Sequence, residues 1–158
     1  MQGARAVVDR ALEALLAALF AALTLDVGWQ VATRFLLGRP SPWSEELARF
    51  LLIWLGLLGA SYALGRRMHL AIELFARRVQ WRRWSRRFTL ASTLAFALAV
   101  LGAGGTHLVA LQLELGQRSA ALAIPMGWVY LALPIAGGLM AFYTLAELAE
   151  GSRPEERG

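Results

Sequence analysis

An all-α membrane protein is what this sequence predicts: four transmembrane helices, with a short cytoplasmic interfacial amphipathic helix between the second and the third. Three observations carry that prediction. Hydrophobic residues fill 58% of the 158 positions and charged residues only 17%, against about 25% charged in ordinary soluble domains. Four apolar runs are each long enough to cross the hydrocarbon core, which takes about 20 residues. Eight of the sixteen basic residues, Arg66, Arg67, Arg77, Arg78, Arg82, Arg83, Arg86 and Arg87, crowd the interval between the second and third runs. A water-soluble globule of this length has too little interior to hide so much apolar surface.

The four crossings cover about 11–32, 47–64, 88–111 and 124–146 in one membrane domain. Each must be a helix, because backbone amides cannot stay unpaired in lipid. Ahead of the first, Asp9 and Glu13 interrupt the basic segment carrying Arg5 and Arg10, and the apolar run is too long for an h-region. The start therefore reads as a membrane helix rather than a cleaved signal peptide. Arginine clusters stay on the cytoplasmic side during insertion. With four crossings, both termini share that side, and the two outward loops hold only Arg34, Arg39 and Arg118.

Within the Arg-rich loop an interfacial helix is expected over about 70–80, with Ile72, Phe75, Ala76 and Val79 on one face. Trp81 and Trp84 follow at headgroup level. Arg77, Arg78, Arg82, Arg83, Arg86 and Arg87 are placed to anchor anionic lipids, each contributing about 1 kcal/mol, or to contact another subunit, and the two roles are compatible. The net charge of +5 does not point to nucleic acid, since no RNA- or DNA-reading motif accompanies it. Every basic residue is Arg and none is Lys, a sign of genomic composition bias. Cysteine is absent, which excludes disulfides, thiolate metal sites and thiol catalysis.

The hairpin between the first two crossings holds the densest chemistry. Ser41 followed by Pro42 is a helix start, with Ser as N-cap and Pro at the first helical position. Glu45 and Glu46 then sit near the positive end of the helix dipole. Arg49 lies four and three residues after them, within reach of both. Folding the hairpin brings Arg34 level with Glu45 and Gln30 level with Arg49. Asp26, Gln30 and Thr33 recur at helical spacing as a polar stripe, which in lipid should face protein. These groups lock the hairpin, dock another subunit, or contact a solute. In the second crossing Gly56 and Ala60, with Gly59 and Ser61 beside them, admit close approach of another helix. Trp43 belongs at interfacial depth, Trp54 deeper, and Gly65 serves as a C-terminal breaker.

On the third crossing Gly102 and Gly105 offer a further packing face, and His107 reads as a hydrogen-bonded packing residue rather than a proton relay. The fourth crossing starts at Ile124 and Pro125, with Trp128 and Tyr130 as anchors. Pro134 should kink it, and Gly137, Gly138 and Ala141 should pack closely. The polar tail, 150–158, is expected to be disordered.

The order Arg34, Gly38, Pro40, Trp43, Glu45, Glu46, Arg49, Trp54, Gly59, Ala60, then His69 followed by Leu70, Ala71, Ile72 and Glu73, closely resembles the small membrane subunit of tripartite ATP-independent periplasmic (TRAP) transporters, the DctQ family. The likeness resumes at Ser119, Ala120, Leu122, Ile124, Pro125, Trp128, Tyr130 and Pro134, and covers roughly Val7 to Leu148. Glu73, where such proteins often carry Asp, is a mild departure. The resemblance implies a four-helix scaffold in the bacterial inner membrane, paired with a large DctM-like subunit that carries the sodium and substrate sites. It also implies a periplasmic binding protein that delivers organic acids. The small subunit is then expected to bind no solute and to brace its partner.

The ionisable groups inside the crossings, chiefly Asp26, Arg49 and His107, lie toward the outer ends, whereas carriers place such groups near the midplane. No catalytic residue, metal site or cofactor is expected, and the chain reads as a non-enzyme. Two rivals differ in class. A self-sufficient four-helix exporter acting as a dimer needs an intramembrane carboxylate, and Asp26 lies too near the outer interface. A haem protein needs His69 and His107 on one iron, and they belong near opposite faces of the bilayer.

Overall fold

The computed structural model describes residues 2–36, 38, 41–66 and 79–151, the side chains at 2, 4, 79–87, 150 and 151 excepted. Helix α1 is Gln2–Leu36 and α2 is Pro42–Gly65. Helix α3 (Val79–Phe96) runs through a π-helical segment (Ala97–Gly104) into α4 (Gly105–Glu114), and α5 (Met126–Tyr130) precedes α6 (Ala132–Gly151). Four helical stretches are long and apolar enough to cross a membrane, Arg5–Leu36, Pro42–Gly65, Phe88–Glu114 and Met126–Ala149, here the first to fourth spans. The all-α prediction holds among the described residues, where extended pairing is confined to an isolated bridge between Arg118 and Pro125.

The helices outrun the apolar runs that predict them. α1 starts at Gln2, and α6 continues to Gly151, two residues into the stretch expected to be a tail. Apolar length marks the part of a helix that suits hydrocarbon, while the backbone ladder continues through polar residues wherever neighbours support it. Residues 152–158 lie outside the described residues, as do 70–78 of the expected interfacial helix; Val79 and Gln80 open α3. The fourth span is interrupted at Leu131, between α5 and α6. Pro134 has no N–H to offer the Tyr130 carbonyl four residues earlier, so the break is the expected proline effect.

Packing order departs from chain order. α1 packs against α2, α2 against α6, and α6 against α3 and the π-helical segment, while α4 meets α5. The four spans thus form a row, first, second, fourth, third, in which the backbone of α1 approaches α2 alone. Of the apolar window of the first span 11% is buried within the chain, against 44% for the fourth, so the fourth is the centre of the row. Water would not tolerate such an open layer. Lipid tails solvate its outer faces well, and packing rather than hydrophobic expulsion decides which helices touch.

The closest approach of backbone to backbone at a described glycine joins the fourth span to the π-helical segment. A Cβ added at Gly137 would lie 2.8 Å from the Ala97 carbonyl oxygen and 2.9 Å from the Gly102 nitrogen. Both are backbone atoms and cannot yield. Leu12, Leu58 and Tyr143 form a buried cluster that ties the first, second and fourth spans together.

Candidate functional site

With four spans, the loops at 37–41 and 115–125 share one end of the row, the hairpin end, and Gln2, Arg66 and Gly151 lie toward the other, the terminal end. Each end carries a polar clasp. At the hairpin end Glu46, one turn into α2, accepts backbone N–H bonds from Ala120 at 3.1 Å and from Ala121 and Leu122 at 2.8 Å each. Successive amides aimed into one concavity make an anion nest, here filled by the chain's own carboxylate. The loop keeps that shape through Ser119 N–H to the Ile124 carbonyl at 2.9 Å and Met126 N–H to the Gln117 carbonyl at 2.9 Å. Ala123 sits in the left-handed region at φ 54°, an uncommon place for a residue with a Cβ. The turn into the loop is a Schellman cap built on Gly116, with Gln117 N–H bonded back to the Gln112 carbonyl at 3.3 Å.

The expected reach of Arg49 to both carboxylates is half met. Arg49 pairs with Glu45 at 3.7 Å, but the side chains are 67% and 69% exposed, and such surface pairs contribute little. Glu46 turns away to the loop, because neighbours on a helix point about 100° apart. Arg34 is exposed and pairs with no described residue.

The hairpin is joined one turn deeper. Gln30 donates to Asp26 Oδ2 at 2.9 Å and to the Ser44 carbonyl at 3.1 Å, so its partner on α2 is Ser44 rather than Arg49. Thr33 donates to the Gln30 carbonyl at 3.1 Å and Ser44 to the Ser41 carbonyl at 2.9 Å. Asp26, Thr33 and Ser44 are buried, so the stripe faces α2 and not lipid. Asp26 Oδ1 is buried without a hydrogen-bond partner. Ser41 is the N-cap of α2 in extended conformation, its hydroxyl making no cap bond.

The small residues of the second span divide by neighbour. A Cβ at Gly59 would meet Leu16 at 3.9 Å, and Ser61 donates to the Ala136 carbonyl of α6 at 3.2 Å. Gly56 and Ala60 are exposed, and nothing lies within 4 Å of a Cβ added at Gly56. Trp54 packs on the Leu12–Leu58–Tyr143 cluster, while Trp43 is exposed. Gly65 ends α2 as expected, yet its lack of a side chain serves the Tyr143 ring, whose Cε1 would lie 2.6 Å from an added Cβ. His69, Arg77 and Arg78 lie outside the described residues. Trp81, Arg82, Arg83, Trp84, Arg86 and Arg87 lie along α3, their side chains outside the described set. His107 is exposed on α4 and makes no hydrogen bond among the described residues. Within its own chain, then, His107 has no packing role: a periodicity of apolar residues cannot say which flank of a span its own chain covers.

The terminal clasp escapes the sequence reading. Tyr143 donates to Asp9 and Tyr62 to Glu13, each at 2.6 Å. Arg66 also binds Glu13, and Arg5 donates to the Gly65 carbonyl. The Glu13 carboxylate, helped by the Tyr62 hydroxyl, raises the Arg66 pKa above the ordinary guanidinium range. Asp9 and Glu13, one turn apart in a basic segment, were the available signal; their partners are 49 to 134 residues away.

The family model for tripartite ATP-independent periplasmic transporters, DctQ component, matches residues 23–153. The sialic acid TRAP transporter small permease protein SiaQ of Vibrio cholerae is 33% identical over 149 residues, 91% of this chain and 83% of that protein. The C4-dicarboxylate TRAP transporter small permease protein DctQ of Rhodobacter capsulatus is 28% identical over 176 residues, 86% of this chain and 74% of that protein. The isethionate TRAP transporter permease protein DctMQ of Oleidesulfovibrio alaskensis is 33% identical over 109 residues, 68% of this chain but only 17% of a much longer protein. Four membrane-length helices in a row, clasped at both ends, together with a family match over most of their length, lead to one conclusion: this chain belongs to the DctQ family of TRAP transporter components.

Proposed function

We propose that the chain is a scaffold, the small permease subunit that braces a large DctM-like subunit in the inner membrane. In this reading the large subunit takes up organic acids with a sodium gradient, and a periplasmic binding protein delivers them. The observation that carries it is the open row. The terminal clasp ties the first, second and fourth spans and Glu46 ties the second to the loop after the third, yet uncovered faces remain at membrane depth. A tied but unclosed layer suits a part that widens and steadies a larger one. The DctMQ relative supports the partnership, since there the matching segment forms 17% of a longer polypeptide. The Arg-rich interval and both termini face the cytoplasm in this reading, with Arg77, Arg78, Arg82, Arg83, Arg86 and Arg87 on anionic headgroups.

Co-purification tests it. Tagged chain, co-expressed with the large subunit of the same organism and extracted in mild detergent, should bring that subunit with it in a fixed ratio. Recovery of the chain alone, with solute transport in liposomes holding nothing else, defeats the scaffold reading. Sidedness is checked separately, because no native cysteine interferes. A cysteine at position 78 or 83 should resist an impermeant maleimide added to intact cells.

A further inference from the structure

We propose that α4, the 115–125 loop and α5 form one hinged unit, which swings against the rest of the row about two helix breaks and is latched in place by Glu46. The first break is the far end of the π-helical segment. There the Gly105 N–H is shared between the Gly102 carbonyl three residues back and the Val100 carbonyl five residues back. The regular four-residue ladder is interrupted, and helices bend at such places. The Thr106 hydroxyl, 2.9 Å from both the Gly102 and the Ala103 carbonyl, covers the oxygens that the change of ladder leaves loosely held. The second break is Leu131, where Pro134 offers the Tyr130 carbonyl no N–H.

The two breaks lie side by side. A Cβ added at Gly105 would sit 2.9 Å from the Leu133 Cβ and 3.1 Å from the Pro134 nitrogen. One break bends one span, whereas two at the same depth in adjoining spans let both turn together. On the terminal side of that level α6 holds the π-helical segment, through Gly137 against Ala97 and Gly102. On the hairpin side α4 packs on α5, and a Cβ added at Gly127 would lie 2.6 Å from the Leu113 Cγ. The loop between them is closed by Met126 N–H on the Gln117 carbonyl and Ser119 N–H on the Ile124 carbonyl. The unit is therefore joined within itself more closely than to its surroundings. Among the described residues its hydrogen-bonded tie to the first or second span is Glu46, which accepts from the Ala120, Ala121 and Leu122 amides. Helix α4 has ten residues, so that latch grips the unit about 15 Å from the breaks. Its leverage over a swing is greatest there.

The test uses the full chain in lipid nanodiscs, with spin labels on pairs of engineered cysteines, since no native cysteine competes. Leu52 of α2 with Leu111 of α4 reads the swing. Ala60 of α2 with Ala91 of α3 makes the same crossing on the terminal side of the breaks; all four positions are exposed. Glu46→Ala should broaden the 52–111 distance distribution about twofold and leave the 60–91 pair unchanged. Glu46→Gln keeps the shape but loses the charge that strengthens the three bonds, so it should broaden the same pair alone, by less, and it serves where the alanine variant does not fold. Adding Pro134→Ala, which gives the Tyr130 carbonyl an N–H again, should narrow the 52–111 distribution back toward that of the unsubstituted chain. No broadening at 52–111 in either Glu46 variant would remove the latch. Equal broadening of both pairs, or broadening that Pro134→Ala leaves intact, would remove the hinge.

Discussion

The first and third spans each close one end of the row, and both leave large residues and alanines uncovered; they differ in the polar groups among them. The first presents Leu15, Phe20, Leu25, Val27, Trp29 and Val31, between 43% and 75% exposed, beside the exposed Ala14, Ala17, Ala18 and Ala21. The third exposes Phe96, Leu98 and Val100 beside Ala99, Ala103 and Ala110, and it alone of the two exposes a histidine, His107. Large side chains meet lipid tails over a broad area and hold other helices off. Alanine leaves a furrow that tails fill poorly and a backbone fills well. Size alone therefore does not separate the two uncovered sides; polarity does, at His107.

The largest effect is expected at the centre of the row, against which both ends are compared. Gly137→Leu should lower the stability of the detergent-solubilised chain by about 3 kcal/mol, the upper end of the overpacking range, because its Cβ meets backbone of the π-helical segment. Gly138→Leu, where nothing lies within 4 Å of an added Cβ, should barely shift the melting midpoint. Equal shifts for the two would remove the fourth span from its central place.

A smaller, local change is expected from Glu46→Ala. Amides of Ala120, Ala121 and Leu122 should exchange hydrogen several-fold faster and the 115–125 loop should be cut sooner by protease. Glu45→Ala, whose carboxylate pairs among the described residues only with an exposed Arg49, should leave both readouts unmoved. Smallest is Tyr143→Phe, which removes the hydroxyl bonded to Asp9 and should cost about 1 kcal/mol in thermal unfolding. No loss there would mean that the terminal clasp adds nothing to the stability of the row.

Much of this was legible in advance, and the boundary has a physical cause. Four crossings follow from apolar length, and the break before Pro134 follows from a missing N–H. The polar stripe of Asp26, Gln30 and Thr33 was correctly expected to face protein, because hydrocarbon leaves it no other choice. Glu46 was harder. Its carboxylate was assigned to Arg49 by nearness along the helix, whereas its partners are amides more than seventy residues away. Glu13, Tyr62 and Arg66 posed the same difficulty at the other end.

What the amino-acid order determined unaided is the set of properties that each helix owns by itself: its existence, approximate length, breakpoints and the residues lipid will not accept bare. Which helix lies beside which, and hence whether His107 is covered or left open, was decided only in three dimensions. Lipid exerts no force that gathers apolar helices into a closed core, so neighbours are chosen by close-fitting contacts such as Gly137 against Ala97, and by distant polar pairs such as Tyr143 with Asp9.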